Sequence, residues 1–126
     1  MNAEQEIEID LVAGPWRSIE LLAKDFKSLG LTGGSIYTGS GKIISEGQIY
    51  RAKKGVLRTE RLVIGVEPSA NSRKWHGLRV HSLQKIQGSW NTVEFENLYS
   101  HQVSAFSFNR WGDLVGRVKG WGYLLS

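Results

Sequence analysis

The sequence predicts an α+β domain: one N-terminal amphipathic helix packed on a curved, mostly antiparallel sheet of about seven to eight strands. Three observations predict it. Residues 16–29 repeat their apolar side chains at helical spacing, and no second stretch matches them. After Gly30 the pattern changes to short alternating runs separated by Gly, Asn, Ser and Pro. The connections between those runs are short, and short loops join antiparallel neighbours because parallel pairing needs a long crossover. One helix cannot cover two sheets, so a single sheet wrapped around it is the economical packing. A small β-barrel with one helix is the alternative architecture.

Each element follows from its own residues. Glu6 to Leu11 alternates charged and apolar, which is the period of a strand, with Ile7, Ile9 and Leu11 on one face and acids towards water. An edge position suits it. Gly14-Pro15 breaks this strand and suits the first turn of a helix. Ile19, Leu22, Ala23, Phe26 and Leu29 form the apolar stripe, and Gly30 stands at the C-cap. Ser35 to Thr38 and Lys42 to Tyr50 read as strands around the turn Gly39-Ser40-Gly41. Arg51 to Gly55 reads as a hairpin loop in which Gly55 supplies a positive φ. Val56 to Val66 alternates, with Val56, Leu62, Ile64 and Val66 on one face. Four further strands are expected at Trp75–Leu83, Trp90–Tyr99, Val103–Phe108 and Leu114–Leu125, with turns at Gly88 and at Asn109 to Gly112.

The 126 residues read as one domain, 1–126, long enough to bury a core without staples. There is no cysteine, which excludes disulfides, a zinc ribbon and a thiol nucleophile. The opening MNAEQEIEID is acidic and lacks an apolar core, so it does not read as a secretory signal. No run approaches 18 apolar residues. A soluble, cytoplasmic protein with no membrane partner is the expectation. The apolar tail Trp121 to Leu125 is expected to be buried, in the core or against a second copy, so a homo-oligomer is one possible state.

Charge is the one uneven property. The net charge is +4, yet residues 51–85 hold nine bases against Glu60 and Glu67, while residues 1–50 are net acidic and 86–126 neutral. Such asymmetry suits an anionic partner, a nucleic acid or an acidic protein. Arg51, Lys53, Lys54, Arg58, Arg73 and Lys74 are the candidate binding cations, with Trp75 and Tyr50 as stacking faces. If the strand before the loop pairs with the one after it, and that one with 75–83, these residues share a three-stranded ribbon. The plainer reading is that lysine guards strand edges and that Trp75 is core.

Other chemistry is thinner. Gly39-Ser40-Gly41-Lys42 resembles part of a phosphate loop, but Ile36 and Ile43 occupy the positions where the motif needs glycine and a hydroxyl. His76, His81 and His101 have no metal-ligand spacing, so neither metal nor cofactor is expected. Glu94 and Glu96 lie two apart on an expected strand, on one face and roughly 7 Å apart. Beside Trp90 they could serve as acid and base in a small-molecule pocket between sheet and helix, with His101 or Asp113 joining. Against this, Val93, Phe95 and Tyr99 make the opposite face look like core, which would leave both carboxylates in water. The leading expectation is a non-catalytic binding domain with a basic surface. The small-molecule pocket, with or without catalysis, comes second, and an oligomeric interaction protein third.

Overall fold

The computed structural model describes residues 7–9, 24, 35–38, 42–56, 59–67, 78–85, 88, 90, 98–119 and 121. They form eight strands and one helix: β1 (Ile7–Ile9), β2 (Ser35–Tyr37), β3 (Ile43–Ser45), β4 (Gln48–Ala52), β5 (Glu60–Glu67), β6 (Arg79–Lys85), β7 (Leu98–Ser104), α1 (Ala105–Trp111) and β8 (Gly112–Val118). Six strands make one sheet in the order β1-β8-β4-β5-β6-β7, and β2 pairs with β3 in a second. Every pairing is antiparallel except β1 with β8. Among the described strands β1 and β7 end the sheet, so these strands do not close the barrel that was the alternative architecture. No described helix is long and apolar enough to cross a membrane.

Among the described residues the helix packed on this sheet is α1, late in the chain, whereas the fold class expected an N-terminal one. The expected helix at 16–29 lies outside the described residues except Lys24, which is helical and exposed. α1 takes the place of an expected strand and turn. Ser104 ends β7 with extended backbone, and its Oγ accepts the Ser107 N–H at 3.1 Å, a side-chain N-cap. From there Ala105 and Phe108, three apart, both turn inward and are buried. Gly112 closes the helix by donating its N–H to the Phe108 carbonyl and starts β8.

Three further expectations change. The strand expected from Lys42 to Tyr50 is two strands, because Gly47 takes φ +88° and turns the chain between them. The strand expected from Val56 begins only at Glu60, and Val56 is fully exposed in the turn before it. A register shift between Val63 and Gly65 then inserts an extra residue into β5. Leu62 and Val66, expected on one face, therefore point to opposite faces. The ribbon β4-β5-β6 pairs as the sequence reading expected.

One face of the ribbon carries Tyr50, Val63, Val66 and Val80, which cluster with Ala105 and Phe108 of α1 and with Ile36 and Ile44 of the β2–β3 hairpin. The Tyr50 and Phe108 rings meet edge to face at 4.9 Å. Ile49, Leu62 and Leu83, aligned by register, are buried on the other face. Trp121 is also buried and belongs to the fold: its indole N–H donates to Glu46 Oε1, and its ring lies against Gly47. Residues 122–126 of the tail lie outside the described residues.

Candidate anion-binding groove

The β4–β5 connection is described at residues 53–56 and 59, and its two ends are joined. Ala52 donates its N–H to the Thr59 carbonyl at 2.9 Å across it, and Gly55 takes φ +114°, the left-handed region the sequence reading assigned to it. Lys53 and Lys54 stand exposed at its start. The Lys53 N–H donates to the Trp111 carbonyl at 2.9 Å and so ties this turn to the end of α1. That hydrogen bond brings together residues almost sixty positions apart in the chain.

Burying Ala105 and Phe108 leaves Phe106, Ser107 and Arg110 on the outer side of α1. With Trp111 and the two lysines they line an open groove of about 380 Å³. Phe106 is 43% exposed, and the Arg110 guanidinium lies over its ring at 5.5 Å. Trp111 is half-buried, 5.5 Å from the Phe108 ring, and the Arg61 guanidinium covers it at 4.2 Å. Three cations therefore converge on the groove, Lys53, Lys54 and Arg110. A fourth, Lys42, sits behind it: its ammonium donates to the Gly112 carbonyl at 3.2 Å and lies 4.9 Å from the Tyr50 ring. Burial pushes the Lys42 pKa down, and the Lys53 charge pushes it further, which registers the positive field of the cluster. Asp113 partly opposes that field and is 3.9 Å from the Lys53 ammonium, but both side chains are well exposed. Such a pair is weak and yields to a competing anion.

The expected binding residues separate. Lys53 and Lys54 meet in the groove. Arg51 does not: it lies one residue from Tyr50 along β4 and so on the opposite face, where Nε and Nη2 donate to Glu60 Oε2 at 3.0 and 2.8 Å. Tyr50, expected as a stacking face, is fully buried against Phe108. Arg58, Arg73, Lys74, Trp75 and His76 lie outside the described residues, as do Glu94 and Glu96. His101 and Asp113, the further acid–base candidates, are strand residues of β7 and β8. Phe106, Ser107, Arg110 and Trp111 were not expected at all. The Ser104-x-x-Ser107 cap followed by Ala105 and Phe108 at helical spacing was the signal available for them.

Two polar clusters lie elsewhere. Glu60 accepts from Arg51, from Lys85 at 2.8 Å and from the Trp90 indole at 2.9 Å. His81, buried, is 3.2 Å from both Glu67 Oε1 and Gln102 Nε2. Among the described residues no group of three or more His, Asp or Glu could hold a metal ion. The chain matches no protein-family model, no curated protein and no solved structure.

Proposed function

We propose that the protein is a non-catalytic binding domain that takes single-stranded nucleic acid into the groove between the β4–β5 turn and α1. The observation that carries this reading is the meeting of Lys53, Lys54 and Arg110 around an exposed aromatic ring, Phe106. Lysine and arginine neutralise phosphates without regard to sequence, and an aromatic face stacks on any base. A groove of about 380 Å³ has room for roughly one nucleotide, not for a duplex. An acidic protein would satisfy the cations, but a nucleic acid brings a π-face next to every phosphate for Phe106, so nucleic acid is the better fit.

Fluorescence anisotropy of a labelled single-stranded oligonucleotide tests this. Three phosphate contacts imply a log–log salt slope of about −2, at roughly −0.7 per contact. Reversing Lys53 and Lys54 together to Glu weakens binding across all sequences and flattens the slope to about −0.7. Phe106→Ala weakens it by about 1–3 kcal/mol and leaves the slope unchanged. Equal competition by polyglutamate would transfer the reading to an acidic protein. Indifference of binding to Lys53 and Lys54 would end it.

A further inference from the structure

We propose that β7 is a self-pairing edge, through which two copies of the chain join their sheets. The two ends of the six-stranded sheet are built differently. β1 is three residues long with Glu8 at its centre, a short and charged edge of the kind that resists pairing. β7 runs for seven residues, Leu-Tyr-Ser-His-Gln-Val-Ser, without a charge, a proline or a glycine. Its pairing with β6 is continuous from Arg79↔Ser104 to Lys85↔Leu98, so no bulge twists it away. Among the described residues none of the usual devices protects this edge.

The hydrogen-bonding direction of β7 can be read from the ladder. Ala105 donates its N–H to the Leu78 carbonyl at 2.7 Å, one step beyond Arg79↔Ser104 in the same register. In an antiparallel pair alternate residues bond to the neighbour, so Val103, His101 and Tyr99 direct their backbone groups to β6. Gln102, Ser100 and Leu98 direct theirs outward, where no described strand receives them. Tyr99 is 59% exposed, and Ser100 and Gln102 are exposed as well. α1 leaves the end of β7 and leads back towards β8, away from this edge.

The strand is complementary to itself. In an antiparallel register centred on Ser100, Ser100 faces its own copy and Leu98 faces Gln102 of the other. All three outward positions are then satisfied on each side, with about six backbone hydrogen bonds in total. β7 brings no charge to the two-fold axis, whereas an acidic or basic peptide would find no counter-charge along it. A second copy is therefore the occupant that this edge fits.

Sedimentation equilibrium of the full chain over a range of concentrations tests the proposal. The mass should rise from 14.1 kDa towards twice that value. Ser100→Lys, at an exposed position, should hold the chain at the monomer mass, with a urea midpoint equal to that of the wild type at concentrations where the wild type is monomeric. The chain has no cysteine, so Ser100→Cys introduces its sole thiol. Directly opposed Cα atoms about 5.5 Å apart allow a disulfide, and mild oxidation should yield a crosslinked dimer. Val56→Cys, in the exposed β4–β5 turn, should not crosslink. A mass of 14.1 kDa at every concentration overturns the proposal. So does a dimer that survives Ser100→Lys, or crosslinking as efficient at position 56 as at position 100.

Discussion

At Glu60 a single carboxylate organises the underside of the ribbon. Oε2 accepts two hydrogen bonds from Arg51, and Oε1 accepts one each from Lys85 and Trp90. Three of these four donors are cationic, and hydrogen bonds to charged groups are the stronger kind. Glu60→Gln leaves one oxygen and turns an amide N–H₂ against donors, so it should cost about 1.5–3 kcal/mol at pH 7. Urea midpoints decide this, and a loss below about 0.5 kcal/mol would mean that the network is only a surface feature. Gly47 is the second sensitive position. It combines φ +88° with a Trp121 ring so close that an added Cβ would lie 2.9 Å from Cγ. Gly47→Ala should therefore cost about 1–3 kcal/mol through backbone strain alone, more if Trp121 is displaced. Reduced quenching or a red shift of tryptophan emission in the folded variant would report that displacement.

At the scale of elements α1 is the instructive one. Seven residues are too few for a helix to stand on propensity, so tertiary packing must hold it. Phe108, fully buried against Tyr50 and Trp111, is the residue that does so, and Phe108→Ala should cost about 3–5 kcal/mol. Ser104→Ala removes only the cap and should cost about 0.5–2 kcal/mol. The two losses separate packing from capping in one denaturant series. They also explain what the sequence revealed. β4, β5 and β6 are legible in outline because alternation acts locally, over neighbours, although the connection read at 51–55 falls between Ala52 and Glu60. α1 is not, because Val103, Ala105, Phe108 and Trp111 fit a strand and a short helix about equally well, and only the Tyr50 ring decides between them. The bulge at Val63–Gly65 has one local signal, Gly65 inside a strand, but the register shift itself is fixed only when β6 lies alongside. Half of the groove was visible as Lys53 and Lys54 in a basic stretch. The other half arrives with Phe106 and Arg110, from a stretch whose net charge is zero.

Across the whole molecule two groups whose pKa values are displaced in the acid range, His101 and Glu60, lie on opposite faces of the sheet and contribute to its response to acid. His101 faces α1 from β7, aligned by register with Ser82, and its Nε2 is buried without a hydrogen-bond partner. Burial, and then the Arg61 charge on the same face, hold its pKa below the ordinary 6.5. The folded chain thus keeps this ring neutral while the unfolded chain takes up a proton near pH 6.5. Stability attributable to it is complete above that pH and falls as the pH drops towards the folded value. Glu60, on the other face, acts lower down. Burial alone would raise its pKa, but the hydrogen bonds and charges of Lys85 and Arg51 outweigh this and set it below the ordinary 4.5. Its contribution is complete above 4.5 and is lost as the pH falls through the folded value. Urea midpoints measured from pH 8 to pH 3 should therefore decline in two stages. His101→Gln should flatten the upper stage and leave the lower one, and Glu60→Gln should do the reverse. The variants act on opposite faces of the sheet through separate partners, so their effects should add in the double variant. An upper stage that persists in His101→Gln would place the proton uptake on another group and remove His101 from the account.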